Sequence, residues 1–335
     1  MIDKVHLRQV YASPPPEREL RKFERTRDGS LVFNEPKPKG LKLKLPSLIY
    51  RPAKDGNHYL TVSVSLPKML HGDNVRTLCD EEVRHALEKL TLFASSRSGL
   101  EFNAPTVPVS LVEFGALSHV GEENVPHYLT AVEGATVARM VRNIRGNERD
   151  TVEFVNGSEE IVLYSKHSET ALRVREGEAT DDALRASVGL LRVERRFLNT
   201  GAVKRLAARL GLPDRNAGTI LREAIAEKVL SEAMSELGLD QRIESKDSRF
   251  DMLRDYCGNN AALLKNLIYF VALADVYGER RLLELGLFSR PTFYKCRKHV
   301  KSAGVLIATP LQKALPPLRL VRPLVGQSRN VASSL

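Results

Sequence analysis

Residues 153–164 read Glu153-Phe154-Val155-Asn156-Gly157-Ser158-Glu159-Glu160-Ile161-Val162-Leu163-Tyr164. Apolar runs flank Asn156-Gly157-Ser158, and Asn-Gly tolerates the positive φ angles that a tight hairpin turn needs. The stretch predicts two antiparallel strands. Runs of the same texture recur on either side of it. Leu60, Val62, Val64 and Leu66 alternate with Thr61, Ser63 and Ser65, and Pro67 ends the ladder. Further strands are expected at Ile2–Tyr11, Leu41–Arg51, Val107–Leu117, Val152–Val155, Ile161–Lys166 and Val188–Leu198. Two helices are expected among them. One covers 80–95, on Val83, Leu87, Leu90 and Leu92, and the other covers 123–143, on Tyr128, Val132, Val137 and Val141. Strands with two intervening helices predict an α+β fold whose antiparallel sheet is covered on one face.

After Asn199 the texture turns helical, with Ile220, Ile225, Val229 and Met234 at helical spacing and Ala, Leu, Glu, Arg and Lys between them. The expected organisation is therefore an α+β domain over 1–199, an α-helical domain over 200–310 and a basic, extended tail over 311–335. The tail holds four basic residues, no acidic ones, and Pro316, Pro317 and Pro323. Such a tail can lie along phosphates or simply be a loose terminus.

The chain has 335 residues and a formal charge of +10, which points to a polyanionic partner, nucleic acid first. An anionic membrane surface would want a basic amphipathic helix with Trp or Phe on its other face, and there is no Trp, so a membrane surface is not an expected partner. The longest uninterrupted apolar run, within 260–277, is bracketed by Lys265 and Asp275 and is too short to span a bilayer. The N-terminus carries charge at positions 3, 4 and 8 where a signal peptide needs an apolar block, so a cytoplasmic protein is expected. Cys79, Cys257 and Cys296 are few, distant and form no CxxC pair, so neither disulfides nor zinc are indicated. GxSxG, HExxH, GxxxxGK[ST], GxGxxG and His-x-His are all absent.

What remains is a set of polar residues on expected strands. A run of period two through Ile161–Lys166 places Val162, Tyr164 and Lys166 on one face. An ammonium beside a phenol favours the phenolate and neutralises a phosphate, which makes Tyr164 a candidate nucleophile with Lys166 as its helper. A packing tyrosine with a solvated lysine is the other reading. On the strand at 188–198, Arg192, Glu194 and Arg196 share one face, with Val193 and Phe197 on the other. This is either a cation- or base-orienting carboxylate or a surface ion-pair ladder. Glu113 continues the stripe of Val107, Val109 and Leu111, where a carboxylate needs a partner. Glu113 and Glu194 are the candidate ligands of Mg2+ or Mn2+. Farther on, Glu279–Leu285 reads as a helix, Gly286 as a break and Ser289 as the cap of a second helix, 290–303. That helix carries Arg290, Lys295, Arg297, Lys298, His299 and Lys301, with Phe293, Val300 and Tyr294 inward. Helix, tight turn and basic helix form a candidate helix-turn-helix for DNA. Residues 203–213 are a second, weaker candidate.

Taken together these residues resemble the gene II and gene X replication initiators of filamentous phages, relatives of some rolling-circle plasmid initiators. The opening, Met1 to Arg8, is similar to the family's start. Ser65-Leu66-Pro67-Lys68-Met69-Leu70-His71-Gly72-Asp73-Asn74-Val75 resembles its S-x-x-K-hydrophobe-L-x-G-x-N-V signature. Tyr164, Lys166 and Glu169 match Y-x-K-x-x-E, and Arg192-Val193-Glu194 matches its R-hydrophobe-E strand. The likeness implies that domain 1–199 is an antiparallel-sheet nicking domain of the rolling-circle initiator type. In it Tyr164 would attack an origin phosphodiester, form a 5′-phosphotyrosyl link, release a 3′-OH primer and later rejoin the displaced strand. The implied partners are supercoiled double-stranded origin DNA, single-stranded DNA and host helicase and polymerase. Lys68, Arg192, Arg290, Lys295, Arg297, Lys298 and Lys301 are the nucleic-acid-binding set. One departure concerns the metal: the family's Arg-Ile-Asp strand is Leu111-Val112-Glu113 here. The alternatives are a non-catalytic DNA-binding replication or copy-control protein of the same fold, and a basic RNA-binding or assembly protein.

Overall fold

The computed structural model of the chain describes residues 1–27, 30–34, 46–52, 56–74, 77–146, 149–241, 243, 246–305 and 315–319. Among these, the strands are β1 (Ile2–Tyr11), β2 (Glu24–Arg25), β3 (Leu31–Asn34), β4 (Ser47–Pro52), β5 (His58–Ser65), β6 (Val109–His119), β7 (Val141–Arg145), β8 (Thr151–Val155), β9 (Glu159–Ser165) and β10 (Leu190–Phe197). The helices are α1 (Glu17–Leu20), α2 (Leu66–His71), α3 (Asp80–Ser98), α4 (Val125–Glu133), α5 (Lys166–Arg175), α6 (Asp181–Ala186) and α7 (Thr200–Arg209). They continue with α8 (Ala217–Ile220), α9 (Glu223–Leu237), α10 (Lys246–Cys257), α11 (Ala261–Tyr277), α12 (Glu279–Glu284) and α13 (Arg290–Ser302). The chain is a mixed α+β protein with antiparallel ladders, and no described helix is long and apolar enough to cross a membrane.

Two compact units are formed, one from Met1–Ala116 and Arg196–Lys228, the other from Leu117–Arg195 and Val229–Arg319. The change of texture near residue 200 coincides with the end of β10 and the start of α7, whose cap Asn199 accepts from the Ala202 N–H.

In the first unit the strand order is β2-β3-β4-β5-β1-β6. Val5 and Leu7 of β1 are fully buried, as are Leu60 and Val62 of β5, because alternation turns these residues to one face. The described part of the strand expected at Leu41–Arg51 is Ser47–Pro52, and residues 41–45 lie outside the described set. Leu66 is the first residue of α2 rather than the last of the strand. Pro67 is tolerated there because first-turn N–H groups need no intrahelical acceptor, and Gly72, at φ +84°, ends the helix.

The stripe through Val107, Val109, Leu111 and Glu113 is broken. Leu7 pairs with Val109 but His6 pairs with Leu111, so Ser110 is an extra residue and the alternation flips there. Val112, Phe114 and Ala116 continue the buried side. Glu113 instead shares the other side with Leu111, 3.8 Å from Lys4. On α3, Val83, Leu87, Leu90 and Ala94 form the buried stripe, and Leu92, which periodicity turns away from Leu90, is 72% exposed.

His6 is a consequential half-buried base in this unit. Its Nε2 lies 2.8 Å from the Ser63 hydroxyl oxygen. Burial, then the charges of Lys4 and Arg8, hold its pKa at about 4 instead of 6.5. Between those values the unfolded chain binds the proton and the folded chain does not, so stability rises with pH through this window. It is fully present above 6.5 and is lost towards 4, at a cost of about 3 kcal/mol. Melts near neutral pH and near pH ~4.5 are expected to show a smaller acid loss in His6→Gln than in the wild type. Equal losses would rule out His6 as the source.

In the second unit the order is β10-β9-β8-β7. The β8–β9 hairpin turns at Asn156, whose Oδ1 accepts from the N–H groups of Ser158 and Glu159, as the opening stretch predicts. The helix expected over 123–143 is shorter: α4 ends at Glu133, and Val141 begins β7, which pairs with β8 in register Ile144↔Val152. Ladder hydrogen bonds to β8 override the helical spacing of Val137 and Val141. Helices α10 to α13 close around Leu253, Phe270, Val271, Leu282, Phe293 and Val300. The described tail residues 315–319 pack on this unit: Leu315 bridges Ile243 and Tyr128 donates to the Pro316 carbonyl. The remainder, 320–335, lies outside the described set.

Candidate active site

Tyr164 is the penultimate residue of β9, opposite Thr151 of β8. Its hydroxyl donates to Glu194 Oε1 of β10 at 2.8 Å. Arg192 Nε donates to the same oxygen at 2.7 Å. All three side chains are buried, Glu194 to 2% exposure and Tyr164 to 8%. The ladder of surface ion pairs considered for this strand is thus a buried pair, with Leu191 and Val193 buried on its other side. The guanidinium fixes the orientation of the buried carboxylate, which here also holds the phenol.

Lys166 does not continue the strand. Ser165 is an N-cap, accepting from the Ser168 N–H, and Lys166 opens α5. The Y-x-K-x-x-E spacing is therefore a strand end, a cap and one helical turn. That turn brings Glu169 Oε2 within 2.6 Å of the fully buried Lys166 Nζ, and Arg173 pairs with the same carboxylate. The sequence pattern marks Glu169 only as a motif position and does not single out Arg173, although the two form an i,i+4 pair on the helix.

Other motif residues have structural partners in the first unit. Ser65 donates to Asp3 Oδ1 at 2.7 Å and Asn74 Nδ2 to Oδ2 at 2.9 Å, all three buried. Asp3 was the missed member, and its signal is a carboxylate between Ile2 and Val5 on an apolar strand. Lys68 is buried on α2, away from the exposure that phosphate contact asks of a lysine. Val75 lies outside the described residues.

The expected metal ligands fit a divalent cation poorly as placed. Glu194 Oε1 already meets a phenol and a guanidinium, and Glu113 faces Lys4. Among the described residues no group of three or more His, Cys, Asp or Glu is arranged to hold a metal.

The basic helix has the expected cap, with the Ser289 hydroxyl accepting from the Thr292 N–H, and Gly286 breaks the chain before it at φ +68°. Phe293, Cys296 and Val300 face inward. Tyr294 does not, being 58% exposed, since it lies a full residue's rotation from Phe293. Arg290, Lys295, Arg297, Lys298 and Lys301 are exposed around it. No family model, no curated protein and no solved structure matches the chain.

Proposed function

We propose that this chain nicks and rejoins one DNA strand, with Tyr164 as nucleophile, to initiate rolling-circle replication. The observation that carries the reading is the buried contact of the Tyr164 hydroxyl with Glu194, whose oxygen Arg192 also holds. The phenol oxygen attacks phosphorus and its proton passes to Glu194. The phosphorus–O3′ bond breaks, and the leaving 3′-oxygen takes a proton to become the primer hydroxyl. Reversal of the same transfer rejoins the strand. Arg192 stabilises the negative charge gathering on the phosphate oxygens. A divalent cation would add Lewis-acid polarisation of that phosphate, but no step is assigned to it because Glu194 is already committed.

The test is a denaturing gel of the protein with a radiolabelled, randomised single-stranded DNA pool, with Mg2+ or Mn2+ and without either. The reading expects a protein–DNA adduct that survives denaturant. The second reading, a non-catalytic DNA-binding replication or copy-control protein, is favoured by the low exposure of Tyr164, 8%. It expects salt-dependent retention of DNA and no adduct.

A further inference from the structure

Five residues of α13 line one cavity of about 460 Å3: Tyr294, Arg297, Lys298, Val300 and Lys301. Tyr294, Arg297, Lys298 and Lys301 are spaced i, i+3, i+4 and i+7, so they form one stripe of the helix, which Arg290 extends one turn beyond the cavity, whereas Lys295 lies off it. The facing wall is the end of α9 and the turn after it, with Ser235 and Gln241, and the cavity is further bounded by Thr136 and Glu279. Glu279 is buried, and burial raises its pKa although Arg297 opposes the shift. Its Oε1 is ion-paired with Arg297 Nε at 2.7 Å but off hydrogen-bond geometry, and Thr136 also reaches the carboxylate, so Glu279 presents a buried, partly engaged acceptor to the cavity.

This chemistry selects a ligand. A free phosphate lodged deep in the cavity would meet the Glu279 carboxylate and be repelled. A phosphate at the rim meets Lys298 and Lys301, both exposed. A neutral base reaching inward would lie beside the Tyr294 ring and offer an exocyclic amine to Glu279. The volume falls in the range of small-ligand sites.

We infer that this cavity binds one unstacked nucleotide of single-stranded DNA: its phosphate on Lys298 and Lys301, its ring on Tyr294, its amino group on Glu279. The inference rests on the reading of the chain as an enzyme of single-stranded DNA and adds where that strand is held. It differs from a recognition helix lying in a duplex groove, which reads base edges from the helix face alone and has no use for the cavity beside it.

The experiment is fluorescence anisotropy of the full chain carrying Tyr164→Phe, without divalent cation, on labelled oligodeoxycytidylate, oligothymidylate and a mixed-sequence duplex. Binding is thus measured apart from nicking, and a failed adduct assay leaves it interpretable. Oligodeoxycytidylate is expected to bind about tenfold tighter than oligothymidylate, which has no exocyclic amine. Lys298→Glu with Lys301→Glu should weaken it by about tenfold or more, and Tyr294→Ala by about tenfold, while Tyr294→Phe keeps the ring and the affinity. Glu279→Gln should keep binding and abolish the preference for cytosine, with its melting temperature recorded to show that the unit is folded. Equal affinity for the two oligonucleotides, or parallel loss of duplex and single-strand binding in the lysine variants, would overturn the inference. Binding of free dCMP as tight as that of the oligonucleotide would also overturn it, in favour of a mononucleotide site.

Discussion

Tyr164→Phe is expected to eliminate the denaturant-resistant protein–DNA adduct while costing the fold only about 1 kcal/mol, the net worth of one hydrogen bond. Phenylalanine keeps the ring between β8 and β10 and removes only the hydroxyl. Glu194 retains its buried partner Arg192, so no charge is left uncompensated. A structural tyrosine and a nucleophilic one make the same small thermal change. They differ in the adduct, which a structural tyrosine does not form. Adduct formation by Tyr164→Phe at the wild-type rate would remove this residue from the chemistry.

The second large effect is at Glu194. Glu194→Ala removes the buried carboxylate to which Arg192 Nε donates, and removal of one partner of a buried pair costs about 3–5 kcal/mol. A domain of ordinary stability loses much of its margin at that cost, so a fall in melting temperature and in soluble yield is expected. Glu194→Gln keeps the shape and one acceptor but cannot take the phenolic proton. It should fold better than the alanine variant and still lose about 10²–10⁴ in the rate of adduct formation. Arg192→Met combined with Glu194→Leu separates the two roles. Melting should recover towards wild type because both charges leave together, and the adduct should not return. If Glu194→Gln forms adduct at the wild-type rate, the carboxylate is only a strut.

Much of the strand framework is legible in the chain, because short-range rules decide it. The Asn156 turn, the alternation of Leu60, Val62 and Val64, and the caps at Asn199 and Ser289 are local features. Where reading and structure differ, a distant strand intervenes. Ser110 is an extra residue only because β1 pairs on both sides of it, and that flips Glu113 off the buried stripe. Val141 leaves the helical pattern because β8 offers it a ladder. Lys166 is different: Ser165 is a plain N-cap signal, so its helical place was readable and the strand pattern through Leu163 hid it. For the site, the face shared by Arg192 and Glu194 follows from period two, but their burial and the meeting with Tyr164 depend on β9 lying beside β10. No local pattern encodes that neighbour. Arg297, Lys298 and Lys301 are legible as members of a basic helix, but the sequence pattern turns Tyr294 inward, and Glu279 meets them only through the turn at Gly286.

The central claim is that Tyr164 becomes covalently joined to DNA, and the most direct measurement is mass spectrometry of the adduct after nuclease trimming and trypsin digestion. Cleavage at Arg149 and Lys166 yields one peptide, 150–166, in which Tyr164 is the sole tyrosine. The account predicts that this peptide carries the deoxynucleotide phosphate, with fragment ions placing the added mass on Tyr164. A nucleotide mass on any other peptide, or an unmodified 150–166 peptide from protein that retained the DNA pool, would contradict it.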